Sequence, residues 1–91
     1  RLMKYNIKYA TKFKKHYKRL NAKDQQEARA VINRLANDEI LEIKYRDHAL
    51  QGDLIGFREC HLKPDLLLIY QKQNRELILY CFDIGSHSEL F

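Results

Sequence analysis

The sequence predicts an α+β domain in the order β-α-α-β-β-β, with a two-helix hairpin packed on one face of a mostly antiparallel four-stranded sheet. Three observations lead there. Lys4–Tyr9 alternates strictly between apolar and polar residues; two helical periodicities follow between Thr11 and Ile40; three strand-like runs separated by short turns fill the C-terminal part. With 91 residues, residues 1–91 make one small domain.

In the first strand Tyr5, Ile7 and Tyr9 share one face, and Lys4, Asn6 and Lys8 the other. Thr11 is the expected cap of a helix to about Leu20, with Phe13, Tyr17 and Leu20 on its apolar side. Its remaining surface carries Lys12, Lys14, Lys15, Lys18 and Arg19, either a solvated face or a patch for RNA phosphates. Asn21-Ala22-Lys23 reads as a connection, and Asp24 with Glu27 as a capping-box start. The second helix buries Ala28, Val31, Ile32, Leu35 and Ala36, ends near Asn37–Ile40, and should lie antiparallel to the first. Leu41–Asp53 reads as a loop, long enough to suggest function. Strands follow at roughly Ile55–Leu62, Leu66–Lys72 and Glu76–Ile84. Lys63-Pro64-Asp65-Leu66 suits a tight turn, since proline is pre-set for its second position, and Gln73-Asn74-Arg75 forms the next one. Leu66–Tyr70 is apolar throughout, as in a strand buried on both faces.

Composition narrows the function. With 45% hydrophobic and 11% aromatic residues, the chain can bury a modest core without metal or disulfide staples. Cys60 and Cys81 read as two reduced, packed thiols of a cytoplasmic protein. The apolar runs are far shorter than the roughly 20 residues that span a bilayer. No secretory signal is visible, and Met3 is a candidate natural start preceded by Arg1 and Leu2. Seventeen Lys and Arg against twelve Asp and Glu give +5, which suits a polyanionic partner. Phosphate-binding loops, nucleophile elbows, dinucleotide fingerprints and zinc-ligand spacings are all missing from the sequence. Metal-free acid–base chemistry on an anionic substrate, without cofactor, is what remains.

Three of the four histidines, His48, His61 and His87, stand next to turns or loops in the second half, where imidazoles can give or take protons near neutral pH. Asp65 sits inside the turn beside His61, a carboxylate and a proton acceptor held close. Strand alternation puts Glu59 on the face of His61, with an ordinary salt bridge as its favoured competing role, and turns Arg58 the other way. Lys44, Arg46, Arg58 and Lys63 are the candidate phosphate-binding cations. Phe91 either stacks on a base or anchors the tail, and His16 reads as a surface histidine of the basic helix.

Three blocks carry a resemblance: Tyr45–Gly52 (YRDHALQG), Gly56–Asp65 (GFRECHLKPD) and Gly85–Phe91 (GSHSELF). They are similar to the D-H-x-L-x-G, G-[FY]-R-x-x-H-x-x-P-D and G-[ST]-H-x-x-L-F blocks of the YafQ branch of the RelE-like bacterial toxins. The resemblance implies a type II toxin, an mRNA interferase that cuts messenger RNA in the A site of the 70S ribosome without metal. It also implies a cognate antitoxin, which would bring the toxin to operator DNA, and no membrane partner; we expect the antitoxin's covering segment to be acidic and partly disordered. By the same resemblance His48 and Asp65 fall on the base side, His87 is the acid, His61 contacts phosphate and Phe91 positions a base.

Two positions depart from the family pattern. Leu66 stands where a large residue such as tryptophan is usual, and Asp83 where an arginine is usual. A cation there would stabilise the charge of the transition state, so Asp83 is expected to weaken cleavage unless Arg58, Lys63 or Arg46 compensates. Two alternatives follow: a gyrase-inhibiting toxin of the ParE type, or a weakened relative acting as an RNA- or antitoxin-binding module.

Overall fold

Leu66–Gln73 is the central strand of a five-stranded sheet in the computed structural model, which describes residues 3–91. Arg1 and Leu2, read above as preceding the start, lie outside the described residues. The elements are β1 (Asn6–Tyr9), α1 (Thr11–Arg19), α2 (Ala22–Ala36), β2 (His48–Ala49), β3 (Arg58–Lys63), β4 (Leu66–Gln73), β5 (Ile78–Gly85) and α3 (His87–Leu90). The sheet order is β1-β5-β4-β3-β2, antiparallel throughout except for β1 against β5.

The α+β class holds, with one strand more than the sequence predicts. The extra strand is the His48–Ala49 pair inside the expected loop, set against Glu59 and Arg58. Two residues are too few to show alternation, so only tertiary pairing reveals them. The helix starts also move. Ala10, not Thr11, is the N-cap of α1, and its side chain makes no capping bond. Asn21 caps α2 by accepting the Asp24 N–H at 2.8 Å, so Asp24 is the third helical residue rather than the cap. β3 begins three residues later than expected because Gly52–Leu54 forms a 3-10 turn ahead of it. β5 starts at Ile78, after a turn that ends with Leu77 in the left-handed region.

One sheet face carries Cys60, Leu62, Leu68, Tyr70, Leu79, Cys81 and Ile84, which pack with Phe13 of α1 and with Ala28, Val31, Ile32 and Leu35 of α2. Each such side chain contributes roughly 1.5–3 kcal/mol on burial if it is Val, Leu, Ile or Phe. Leu67 and Ile69 point to the opposite face and are buried too, as the unbroken apolar run predicts. Both cysteines are free and buried.

A bulge decides what this second face presents. Alternation from Leu79 and Cys81 would aim Asp83 into the core. The β4–β5 register shifts instead: Tyr70 pairs Cys81 while Ile69 pairs Asp83, so Phe82 is the extra residue. Asp83 thereby joins the face of Ile69, and Ile84 takes the core position.

Candidate active site

Directly paired residues share a face, so the strand registers define two rows on the side of the sheet away from the helical core. His48, Glu59, Ile69 and Asp83 make the first, and His61, Leu67 and Gly85 the second. Residues of four strands, β2 to β5, thus meet on one surface.

The centre of the first row is Glu59, only 7% exposed. Its Oε1 lies 3.4 Å from His48 Nε2 and 3.5 Å from His61 Nε2. The two rings are 6.4 Å apart, centroid to centroid. Among the described residues no lysine or arginine pairs with Glu59, so the ordinary salt bridge favoured from the sequence is replaced by a carboxylate shared between two imidazoles. The ring of His48 is oriented from behind: its Nδ1–H donates to the Arg46 carbonyl at 2.6 Å. That bond leaves Nε2 as the nitrogen facing Glu59 and solvent.

Sequence reasoning missed the residue that sets this loop. Asp47, adjacent to His48, accepts from the Tyr70 hydroxyl at 2.7 and 2.8 Å and from Arg58 Nε at 3.1 Å. Tyr70 is buried, and its hydroxyl is pushed well above the ordinary tyrosine range by burial first and by Asp47 second. Arg46 takes a left-handed backbone conformation one residue earlier. The only signal in the sequence was the position of Asp47 inside the first motif block.

Asp65 meets the tail. Its Oδ1 accepts the backbone N–H of His87 at 3.1 Å, and it forms no ion pair with any histidine among the described residues. The tight turn therefore ties down the tail at His87. In α3, Ser86 and Glu89 form a reciprocal capping box, with Ser86 N–H donating to Glu89 Oε1 at 2.7 Å. Gly85 leaves room for this box, since a Cβ there would come within 2.9 Å of Glu89 Oε1 and push that carboxylate aside. The rings of His87 and Phe91 stand 5.1 Å apart, with Phe91 54% exposed.

The candidate cations divide. Lys44, Arg46 and Lys63 line a cavity of about 430 Å³ together with His61 and Glu27. Lys63 is also paired with Asp24 of α2 at 3.0 Å. Arg58 does not join them: it lies on the core side of the sheet, engaged by Asp47, because alternation turns it away from Glu59. Asp83, 6% exposed, is met by His16 Nδ1 at 2.6 Å, by the Ile84 N–H at 2.8 Å and by Lys12 Nζ at 3.9 Å. No three His, Cys, Asp or Glu side chains among the described residues are arranged as a metal-ligand set.

Residues 5–91 match the family model of the bacterial toxin of type II toxin–antitoxin system, YafQ. The mRNA interferase toxin YafQ of Escherichia coli K12 is 30% identical over 93 residues, covering 99% of both chains. A metal-bound toxin from Helicobacter pylori superposes with a TM-score of 0.88 at 47% identity, over 96% of this chain and 99% of the other. The E. coli DinJ–YafQ complex gives a TM-score of 0.83 at 31% identity, over 96% and 98%.

Proposed function

This chain belongs to the YafQ family of type II toxin–antitoxin toxins, and from that premise we propose that it cleaves messenger RNA on the ribosome with its own side chains as acid and base. The observation that carries the proposal is Glu59 Oε1 standing 3.4 and 3.5 Å from the Nε2 atoms of His48 and His61. His48 takes the proton from the RNA 2′-OH through Nε2, and Glu59 offsets the charge the ring gains. The freed oxygen bonds to the adjacent phosphorus while the bond from phosphorus to the 5′-oxygen breaks. His87 returns a proton to that oxygen, leaving a 2′,3′-cyclic phosphate and a 5′-hydroxyl. His61, opening onto the cavity lined by Lys44, Arg46 and Lys63, contacts the phosphate. Phe91 stacks on a base beside His87.

Asp83 weakens this reaction little. Lys12, the His16 Nδ1–H and the Ile84 amide facing it counter the repulsion that a bare carboxylate would exert on phosphate. The family match favours RNA cleavage over gyrase inhibition, because the site holds proton donors and acceptors that a purely protein-binding toxin does not need.

The partner follows from the α1 surface. Tyr9, Phe13, Tyr17 and Ile32 floor a groove of about 450 Å³ whose rim carries Lys14, Lys18 and Arg29. An antitoxin segment with acidic and apolar residues, ordered on binding, suits that groove.

The test is end mapping of message cleaved in a translating extract, with and without 1,10-phenanthroline, which strips transition metals and leaves the Mg2+ that the ribosome needs. The proposal expects a cyclic phosphate end that persists with the chelator and disappears in His61→Ala and His87→Ala. Cleavage that stops with the chelator while translation continues would remove the metal-free mechanism, and ends of another chemistry would remove 2′-OH attack.

A further inference from the structure

The sheet face that carries Glu59 holds a second buried carboxylate attended by an imidazole. Glu59 and Asp83 sit in one row, separated by Ile69. Two strand spacings put them about 10 Å apart. The His16 Nδ1–H donates to Asp83 Oδ1 at 2.6 Å, which fixes the ring and leaves Nε2 as its free nitrogen. The ring is not sealed in, since the side chain is 26% exposed. It also stands near the tail: Asp83 lies two residues before Gly85, where β5 ends and α3 follows. His16 therefore reaches from α1 to the end of the strand that launches His87.

We propose that His16 is a further substrate-contacting residue, its Nε2–H donating to a phosphate oxygen from the wall of the site opposite His61, with Asp83 holding the ring in place. This rests on the RNA-cleaving function proposed above. The groups facing His16 are Asp83 of β5, Lys12 and Arg19 of α1, and Glu89 of α3. In the proposed pose Asp83 accepts from one end of the ring and phosphate from the other. The competing role is a clasp that only fastens α1 to β5.

His16→Asn separates the two, because the asparagine amide can replace the Nδ1–H···Asp83 bond but has nothing at the place of Nε2. A clasp predicts cleavage within twofold of the unmodified protein. A phosphate contact predicts a loss of about a hundredfold, the scale of removing one donor to a reacting oxyanion, with the melting temperature kept. A second measurement stands apart from turnover: nitrogen-15 spectra of the imidazoles while a 2′-O-methyl RNA oligonucleotide, which cannot be cut, is added. Movement of the His16 Nε2 signal at saturation supports the proposal. A still His16 signal while His61 moves overturns it. If the unmodified protein cut no message, the RNA-cleaving function would fall, and the His16 signal would still decide whether His16 meets RNA phosphate.

Discussion

Asp65 accepts the backbone N–H of His87 at 3.1 Å, joining the β3–β4 turn to the C-terminal helix across 22 residues. That contact suits a tether, and two substitutions at Asp65 separate a tether from a base. Asp65→Asn keeps an acceptor oxygen and should retain cleavage within about fivefold, whereas Asp65→Ala releases α3 and should lose on the order of a hundredfold, the scale attached to misplacing a reacting group by an ångström. Single-turnover rates on ribosome-bound message check this. Equal, severe losses in both variants would return Asp65 to the role of base.

Glu59 is the carboxylate that the imidazoles share, and removing its charge tests that directly. Glu59→Gln preserves the volume of a side chain that is only 7% exposed. It leaves His48 and His61 without an anion between them. The rate should fall by roughly 10²–10³, within the range general acid–base groups contribute, while the urea midpoint stays close to that of the unmodified chain. A rate reduced less than threefold would mean that Glu59 only packs.

Behind His48, the Tyr70 hydroxyl and Asp47 form the brace of the loop. Tyr70→Phe removes that donor from a buried site and should cost about 1.5–3 kcal/mol in urea unfolding, the scale for losing one hydrogen bond to a charged group. Because Asp47 precedes the base, cleavage should slow as well, and more steeply than message binding weakens. A stability loss with kcat untouched would confine the brace to folding.

How much of this was legible beforehand depends on whether local pattern or tertiary pairing carries the information. The core of α2, from Ala28 to Ala36, was readable because burial repeats with the helical period. So was Leu66–Tyr70, whose unbroken apolar run could only suit a strand covered on both sides. His48, His61 and His87 were singled out from their places beside turns and loops, and Glu59 was put on the face of His61, but the sharing of Glu59 between His48 and His61 was not foreseen. Asp65 lay next to His61 in sequence, yet the register sets Glu59 between His61 and His48. The setting of Asp83 was hidden for a similar reason: the Phe82 bulge decides its face, and no local signal announces a bulge without its pairing strand. His16 looked like one more charge on a basic helix, and only the return of β5 beneath α1 gives it a partner.

If the protein acts on the ribosome as proposed, the cations of α1 should carry part of that contact. Lys14, Lys15 and Lys18 have no ion-pair partner among the described residues, and Lys12 and His16 turn toward Asp83. Binding to rRNA and message through such groups releases counterions, so association should weaken steeply as salt rises. Raising KCl from 50 to 200 mM should lower ribosome affinity by about tenfold or more, measured by co-sedimentation. Lys14→Glu with Lys18→Glu should flatten that slope. An affinity indifferent to salt would take α1 out of the ribosome contact.

Asp38 supplies a pH dependence whose sign can be worked out. It occupies the left-handed position after α2 and binds Lys4 and Lys72, each at 2.8 Å. Those two ammonium groups, Lys4 first, bring its carboxyl down from 3.8 to about 2. A group whose folded value is depressed stabilises the fold above its unfolded value and loses that contribution as pH falls through the folded one. Part of the acid destabilisation should therefore appear between about pH 4 and pH 2, with full strength above it. Glu42, lowered by Arg34, and Glu89, lowered by Ser86, act in the same direction, so the total slope does not isolate Asp38. Asp38→Asn does, since asparagine tolerates the left-handed backbone and carries no charge to titrate. Urea midpoints of the two proteins should differ at pH 6 and converge toward pH 2, and the gap should shrink in 1 M salt because the pairs are exposed. Curves that stay parallel over this range would show that the Lys4–Asp38–Lys72 cluster contributes nothing through its charge.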